Sequence, residues 1–137
     1  MIDWYKKVVF DNYANFSGRA SRSEYWYFML CNFLIIVALL ICFGISMALF
    51  GSLGMLFIVV YVVYAFGILL PNIGVLVRRL HDVNKSGWFY FVALIPLVGG
   101  IWLLVMLFTE GDHGQNDYGA DPKQIFDETE EIGKLEP

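Results

Sequence analysis

The chain has 137 residues, 58% of them hydrophobic, and a formal net charge of −4. That length suits one domain, and the apolar share exceeds the roughly 45–50% of ordinary soluble domains, so a water-soluble globule is a poor description. Charge is sorted along the chain: residues 1–24 carry Lys6, Lys7, Arg19 and Arg22 against Asp3, Asp11 and Glu24, whereas residues 110–137 carry nine acids against Lys123 and Lys134, which excludes a basic nucleic-acid surface.

Near the N-terminus, Trp4, Tyr5, Val8, Val9, Tyr13 and Phe16 share one half of a helical wheel. Asp3, Lys6, Lys7 and Asp11 share the other, with Phe10, Asn12 and Asn15 out of place. The pattern suits a short amphipathic helix, either lying in a membrane interface or packed on the protein's own cytoplasmic face. Gly18 permits a turn. Ser21 with Glu24 three residues on is a capping-box pattern, so the first long helix is expected near Arg22, with Tyr25, Trp26 and Tyr27 as an interfacial aromatic belt.

Residues 25–77 contain no Asp, Glu, Lys or Arg in 53 positions. A hydrocarbon core of about 30 Å takes roughly 20 apolar helical residues to cross. The stretch therefore suits two spans, about 25–50 and 55–77, turned at Gly51-Ser52-Leu53-Gly54. The apolar run is much longer than a signal-peptide core of about 7–15 residues, so the first span is expected to be retained. Asn32 is expected to bond a neighbouring helix, and Gly44 with Ala48 forms a small-xxx-small pair. Pro71 predicts a bend, and Gly67 and Gly74 share a face that could seat another helix. Cys31 and Cys42 would lie about 16 Å apart on one helix, beyond disulfide reach.

Charge returns at Arg78-Arg79-Leu80-His81-Asp82, where Arg78 and Asp82 are spaced to pair across one helical turn. A turn at residues 84–87 then leads into a third uncharged block, 88–108, which contains Pro96 and Gly99-Gly100. A full crossing by this block would send the following residues to the far side; a re-entrant block would return them. Residues 111–122 read as a structured loop closed by Asp121-Pro122. The expected fold is all-α: an integral membrane domain over residues 1–122 with three transmembrane helices preceded by a short interfacial helix, then an acidic, loosely ordered tail at 123–137.

The N-terminal flank carries four Lys and Arg, the 51–54 turn none and the 78–87 loop three. The positive-inside rule then puts the N-terminus and the second loop in the cytoplasm, and three crossings put the tail in the periplasm. Arg19, Arg22, Glu24, Arg78, Arg79, His81 and Asp82 would meet at one membrane surface. Each cation near an anionic surface is worth about 1 kcal/mol, and arginine binds phosphate in bidentate fashion. The same cations could instead set topology and pair with Glu24 and Asp82.

His81 and Asp82 are adjacent, so on a helix their side chains point about 100° apart and do not converge unaided. No zinc spacing, phosphate loop, dinucleotide fingerprint or nucleophile elbow is present. The aspartates at 112, 117 and 121 do not match a calcium-binding EF-hand loop. No catalytic residue, metal or cofactor is therefore assigned. The expected function is a non-enzymatic membrane protein whose cytoplasmic arginine-rich face binds anionic lipid head groups or a partner membrane protein. The alternative is a small transporter or channel subunit acting as a homo-oligomer, although the spans lack the ionisable groups such a path usually shows.

Three polar stretches together resemble one known family. They are Phe16-x-Gly18-Arg19-x-x-Arg22-x-Glu24-Tyr25-Trp26, then Arg78-Arg79-Leu80-His81-Asp82 with Ser86-Gly87-Trp88, then Gly111-x-x-Gly114-x-Asn116-x-Tyr118-Gly119-x-Asp121-Pro122. Their order around three apolar blocks resembles the domain of unknown function 805 family, small bacterial inner-membrane proteins of the YhaH/YhaI type. The resemblance covers residues 16–122 and implies a multi-pass protein of the bacterial inner membrane. It implies no activity.

Overall fold

In the computed structural model, residues 1–124 are described; of the acidic tail expected at 123–137, residues 125–137 lie outside them. The α-helices that build the fold among the described residues are α1 (Ile2–Lys6), α2 (Arg22–Phe50), α3 (Leu56–Asp82) and α4 (Gly99–Phe108). A π-helical turn (Lys7–Asp11) extends α1, a 3-10 turn (Gly51–Met55) joins α2 to α3, and a 3-10 segment (Gly87–Leu94) precedes α4. Among the described residues the one β feature is an isolated bridge between Asn116 and Gly119.

The expected start of the first long helix is observed. Ser21 is its N-cap, and its hydroxyl accepts the Glu24 amide at 3.2 Å. The Glu24 side chain, however, does not reach back to complete the capping box; it takes Lys7 and Arg78 instead. At 29 and 27 residues, α2 and α3 are about 43 and 40 Å long at ~1.5 Å per residue, each enough for a hydrocarbon core. Gly54 lets the connecting turn close on the backbone of Met47, where an added Cβ would lie 2.6 Å from the amide nitrogen. Much of the hairpin's apolar surface is open: Leu49 is 69% exposed, Val63 66% and Phe66 75%. Surface of that kind is stable against acyl chains, not against water.

The third block departs from the expected full span. The 3-10 segment has 8 residues, about 16 Å at a ~2 Å rise, and α4 has 10, about 15 Å. Each reaches about half of a ~30 Å core. The chain turns between them because Pro96 has no N–H to continue a helix and forces extended backbone on Ile95, which has φ −73° and ψ 116°. Leu97 then adopts φ 68° at 92% exposure. Gly99 lets α4 fold back against the carbonyl of Val92, and Phe89 meets Trp102 edge to face at 5.6 Å. Residues 88–108 therefore double back as a hairpin, and the chain after Phe108 returns to the end of the molecule that it left at Asp82. This geometry favours the reading in which the third block turns back over the one in which it crosses fully and sends the following residues to the far side.

The N-terminal helix is packed on the protein rather than lying apart from it. Val8 is fully buried, and Tyr5 stacks on Phe28 at 5.6 Å. Pro71 leaves the Gly67 carbonyl without its helical donor, and the Tyr13 hydroxyl donates to it at 2.7 Å. Gly74 admits the Asn15 carbonyl, 3.1 Å from where a Cβ would stand. The glycine face of α3 thus seats the N-terminal segment. Asn32 meets its expectation by accepting the Tyr64 hydroxyl across the hairpin.

A labelling experiment tests the return of the third block. In a background carrying Cys31→Ala and Cys42→Ala, single cysteines from Asn84→Cys and Gln115→Cys should react with an impermeant maleimide from the same side of the membrane. Labelling from opposite sides would restore a full third crossing.

Candidate functional site

At the end of the hairpin where α2 begins and α3 finishes, the three polar stretches close into one cap. Its core is small and apolar, with Val8, Ala20, Tyr25, Phe28, Val75, Leu80, Leu103 and Leu107 buried together. Above that core lies a layer of charge organised by two carboxylates.

Glu24, fully buried, accepts Arg78 Nη1 at 2.6 Å and Lys7 Nζ at 2.7 Å. Asp82 accepts Arg19 Nε at 3.0 Å and Arg79 Nη1 on its other oxygen. The pairing expected from helical spacing, Arg78 with Asp82, is not the one formed. Arg79 stands three residues before Asp82 and pairs with it, while Arg78 turns to Glu24 on α2. Burial presses the Asp82 carboxyl above its ordinary range, against the pull of Arg79 and Arg19.

The remaining guanidinium N–H groups are spent largely on backbone carbonyls. Arg79 donates to Leu107 at 3.2 Å and to Thr109; Arg22 donates to Phe108 at 3.4 Å. Two of these carbonyls belong to the last turn of α4, where no helical donor exists and cations are favoured. Arg19 donates to the carbonyls of Gly114 at 2.6 Å, Gly119 at 3.3 Å and Asp112. The loop is shaped for this by its own Asx turns: Asn116 Oδ1 accepts Tyr118 N and Asp121 Oδ1 accepts Lys123 N, both at 2.9 Å. Gly111 passes so close to the Asp82 carboxylate that a Cβ there would collide with it. Asp112 N donates to the Asp82 carbonyl at 2.8 Å.

His81 and Asp82 face different partners. The His81 ring lies 3.9 Å from the Tyr118 ring at 7°, and its Nδ1 is 3.1 Å from the Gly18 carbonyl. Burial holds the imidazole below its ordinary value against the upward pull of that carbonyl. No group of three or more His, Cys, Asp or Glu with metal-binding geometry exists among the described residues.

All seven expected site residues therefore belong to this cap. The side chains of Arg19, Arg78 and Arg79 are 1%, 3% and 0% exposed, whereas that of Arg22 is 41% exposed and reaches Glu110 at 3.0 Å. Arg78 Nε and Nη2 have no hydrogen-bond partner among the described residues. Sequence reasoning read residues 111–122 as a structured loop but did not bring it to Arg19, whose guanidinium holds its carbonyls. It also missed an apolar cleft of about 690 Å³ beside the cap, lined by residues including Tyr25, Met29, Ile73, Leu76, Trp88 and Phe91. The run of aromatics after Gly87 was its one signal.

Two outcomes follow from this geometry. Glu24→Gln leaves the buried Arg78 charge uncompensated and should cost about 3–5 kcal/mol, read as a lower Tm in detergent; combining Glu24→Met with Arg78→Met should recover most of the loss. Because folding holds His81 below 6.5, the unfolded chain takes up its proton first as pH falls. Stability should therefore decline from about pH 6.5 downward, and His81→Gln should flatten that part of the Tm profile.

The family model described as "Protein of unknown function (DUF805)" matches residues 13–120. Two curated Escherichia coli K12 proteins are similar over 125 residues. "Inner membrane protein YhaI" is 37% identical, covering 89% of this chain and 97% of the relative. "Inner membrane protein YhaH" is 38% identical, covering 89% and 98%. No solved structure matches. With its family signature spread over the very stretches that close the cap, the chain belongs to the DUF805 family, alongside proteins named for the bacterial inner membrane.

Proposed function

We propose that this chain is a non-enzymatic inner-membrane protein, crossing the bilayer twice and dipping into it a third time. Its ion-paired cap faces the cytoplasm and recognises anionic head groups. One observation carries the reading: the charged segments gather at one end of an apolar hairpin whose opposite turn, Gly51–Met55, has no charge at all. With the third block returning, the Lys and Arg residues of the described chain fall on a single side, the asymmetry that sets cytoplasmic orientation.

The geometry redistributes the work among the cations. Arg19, Arg78 and Arg79 are committed to carboxylates and carbonyls, so they hold the cap together. Attraction to lipid falls to cations at the rim: Lys6 and Lys85, both exposed, and the half-exposed Arg22. The separate partners of His81 and Asp82 support a binding role over acid–base chemistry.

The test is lipid selectivity. Purified protein should retain phosphatidylglycerol in preference to phosphatidylcholine. The triple variant Lys6→Gln, Arg22→Gln, Lys85→Gln should lose about tenfold or more of that preference, at ~1 kcal/mol per cation. Equal preference in the two proteins, with sidedness unchanged, overturns the reading.

A further inference from the structure

We propose that the cleft between α3 and the Gly87–Leu94 segment holds one acyl chain of a phospholipid, whose phosphate is taken by Ser86 and Lys85. The inference rests on the lipid-binding reading and names the part of the lipid that a head-group surface alone leaves unaccounted for.

The cleft is built for an unbranched apolar guest. Its walls are Tyr25 and Met29 from α2, Ile73 and Leu76 from α3, and Trp88 and Phe91 from the re-entrant segment. Along α3 it runs from Leu69 to His81, about 18 Å at ~1.5 Å per residue. One leaflet of a ~30 Å core is about 15 Å deep. The match in length favours a chain lying along α3 over a compact solute.

Polarity is distributed as such a guest requires. Asn72, which also lines the wall, has turned its amide to the Ile68 carbonyl at 3.0 Å, so one of its two N–H donors is occupied. The other strongly polar linings, His81 and Ser86, lie together where α3 ends. The Ser86 hydroxyl oxygen accepts Trp88 N at 3.4 Å, which leaves its O–H free to donate. Lys85, the preceding residue, is exposed. A hydroxyl donor at one end of an apolar channel, with an exposed lysine next to it in the chain, is complementary to a phosphate joined to an acyl chain.

Native mass spectrometry of the full chain released from bilayer discs of phosphatidylglycerol and phosphatidylcholine in equal parts tests this. Wild type should retain one phospholipid per chain. Ile73→Trp, which fills the cleft from a half-exposed position, should lower the retained fraction about fivefold, equivalent to ~1 kcal/mol. Leu49→Trp, on exposed α2 surface away from the cleft, should leave it unchanged. Retention unaltered by Ile73→Trp, or a lipid-free dimer in its place, overturns the proposal. So does displacement by dihexanoyl phosphatidylglycerol as effective as by its long-chain counterpart, a result that would leave the head-group reading standing. Cleft-dependent retention of both lipids alike would support the chain site while removing the case for anionic selectivity.

Discussion

Glu24 and Asp82 each bind two cations that come from separate parts of the chain, and the arrangement of the cap follows from that sharing. Glu24 ties Lys7 of the N-terminal segment to Arg78 of α3; Asp82 ties Arg19 of the same N-terminal segment to Arg79. Neither carboxylate could stay ionised at this burial with no cation beside it. Each pairing therefore requires the segments to be in place, and the segments are held by the pairings. Such a layer is less a source of stability than of uniqueness, because an alternative packing would strand a buried charge.

The arginines extend this order outward from the carboxylates. Lysine could neutralise Asp82, but it could not also hold carbonyls in several directions, because its donors radiate from a single nitrogen. Arg19 carries Asp82 on Nε and reaches the carbonyls of Asp112, Gly114 and Gly119 with its other nitrogens. Arg79 does the same for the end of α4. The re-entrant hairpin is thus anchored by its exit point. Its tip rests on nothing comparable: Leu97, with its left-handed backbone, is almost wholly exposed.

Much of this was readable from the residues. The uncharged run from 25 to 77 specified two long helices, the Ser21 cap located the first of them within a residue, and the convergence of Arg19, Glu24, Arg79 and Asp82 followed from charge at the ends of apolar blocks. Two things were hidden. Length and polarity alone do not distinguish a block that crosses from one that folds back; the decision lay in Pro96 and Gly99, whose meaning depends on what Val92 and Trp102 can pack against. The partners of the arginines were hidden for a related reason. Arg78 and Arg79 are neighbours in sequence, and which of them meets Glu24 depends on the rotation of α3 against α2, a tertiary quantity that no local spacing encodes.

The upright stance of α1 beside α2 bears on the membrane itself. Lys7 sits at Glu24, yet Ile2 reaches the level of Leu34 and Ile35, carrying the exposed Asp3 down with it. On that flank the uncharged height of α2 below this level runs only from about Ile35 to Phe50, some 24 Å at ~1.5 Å per residue, against a core of about 30 Å. On the other flank, exposed Trp88 and Phe91 carry the greasy surface up to the collar. Set in a bilayer, a slanted girdle of this kind would ask the lipid to thin beside α1 or the hairpin to lean toward it, and would favour residence where the membrane is already thin.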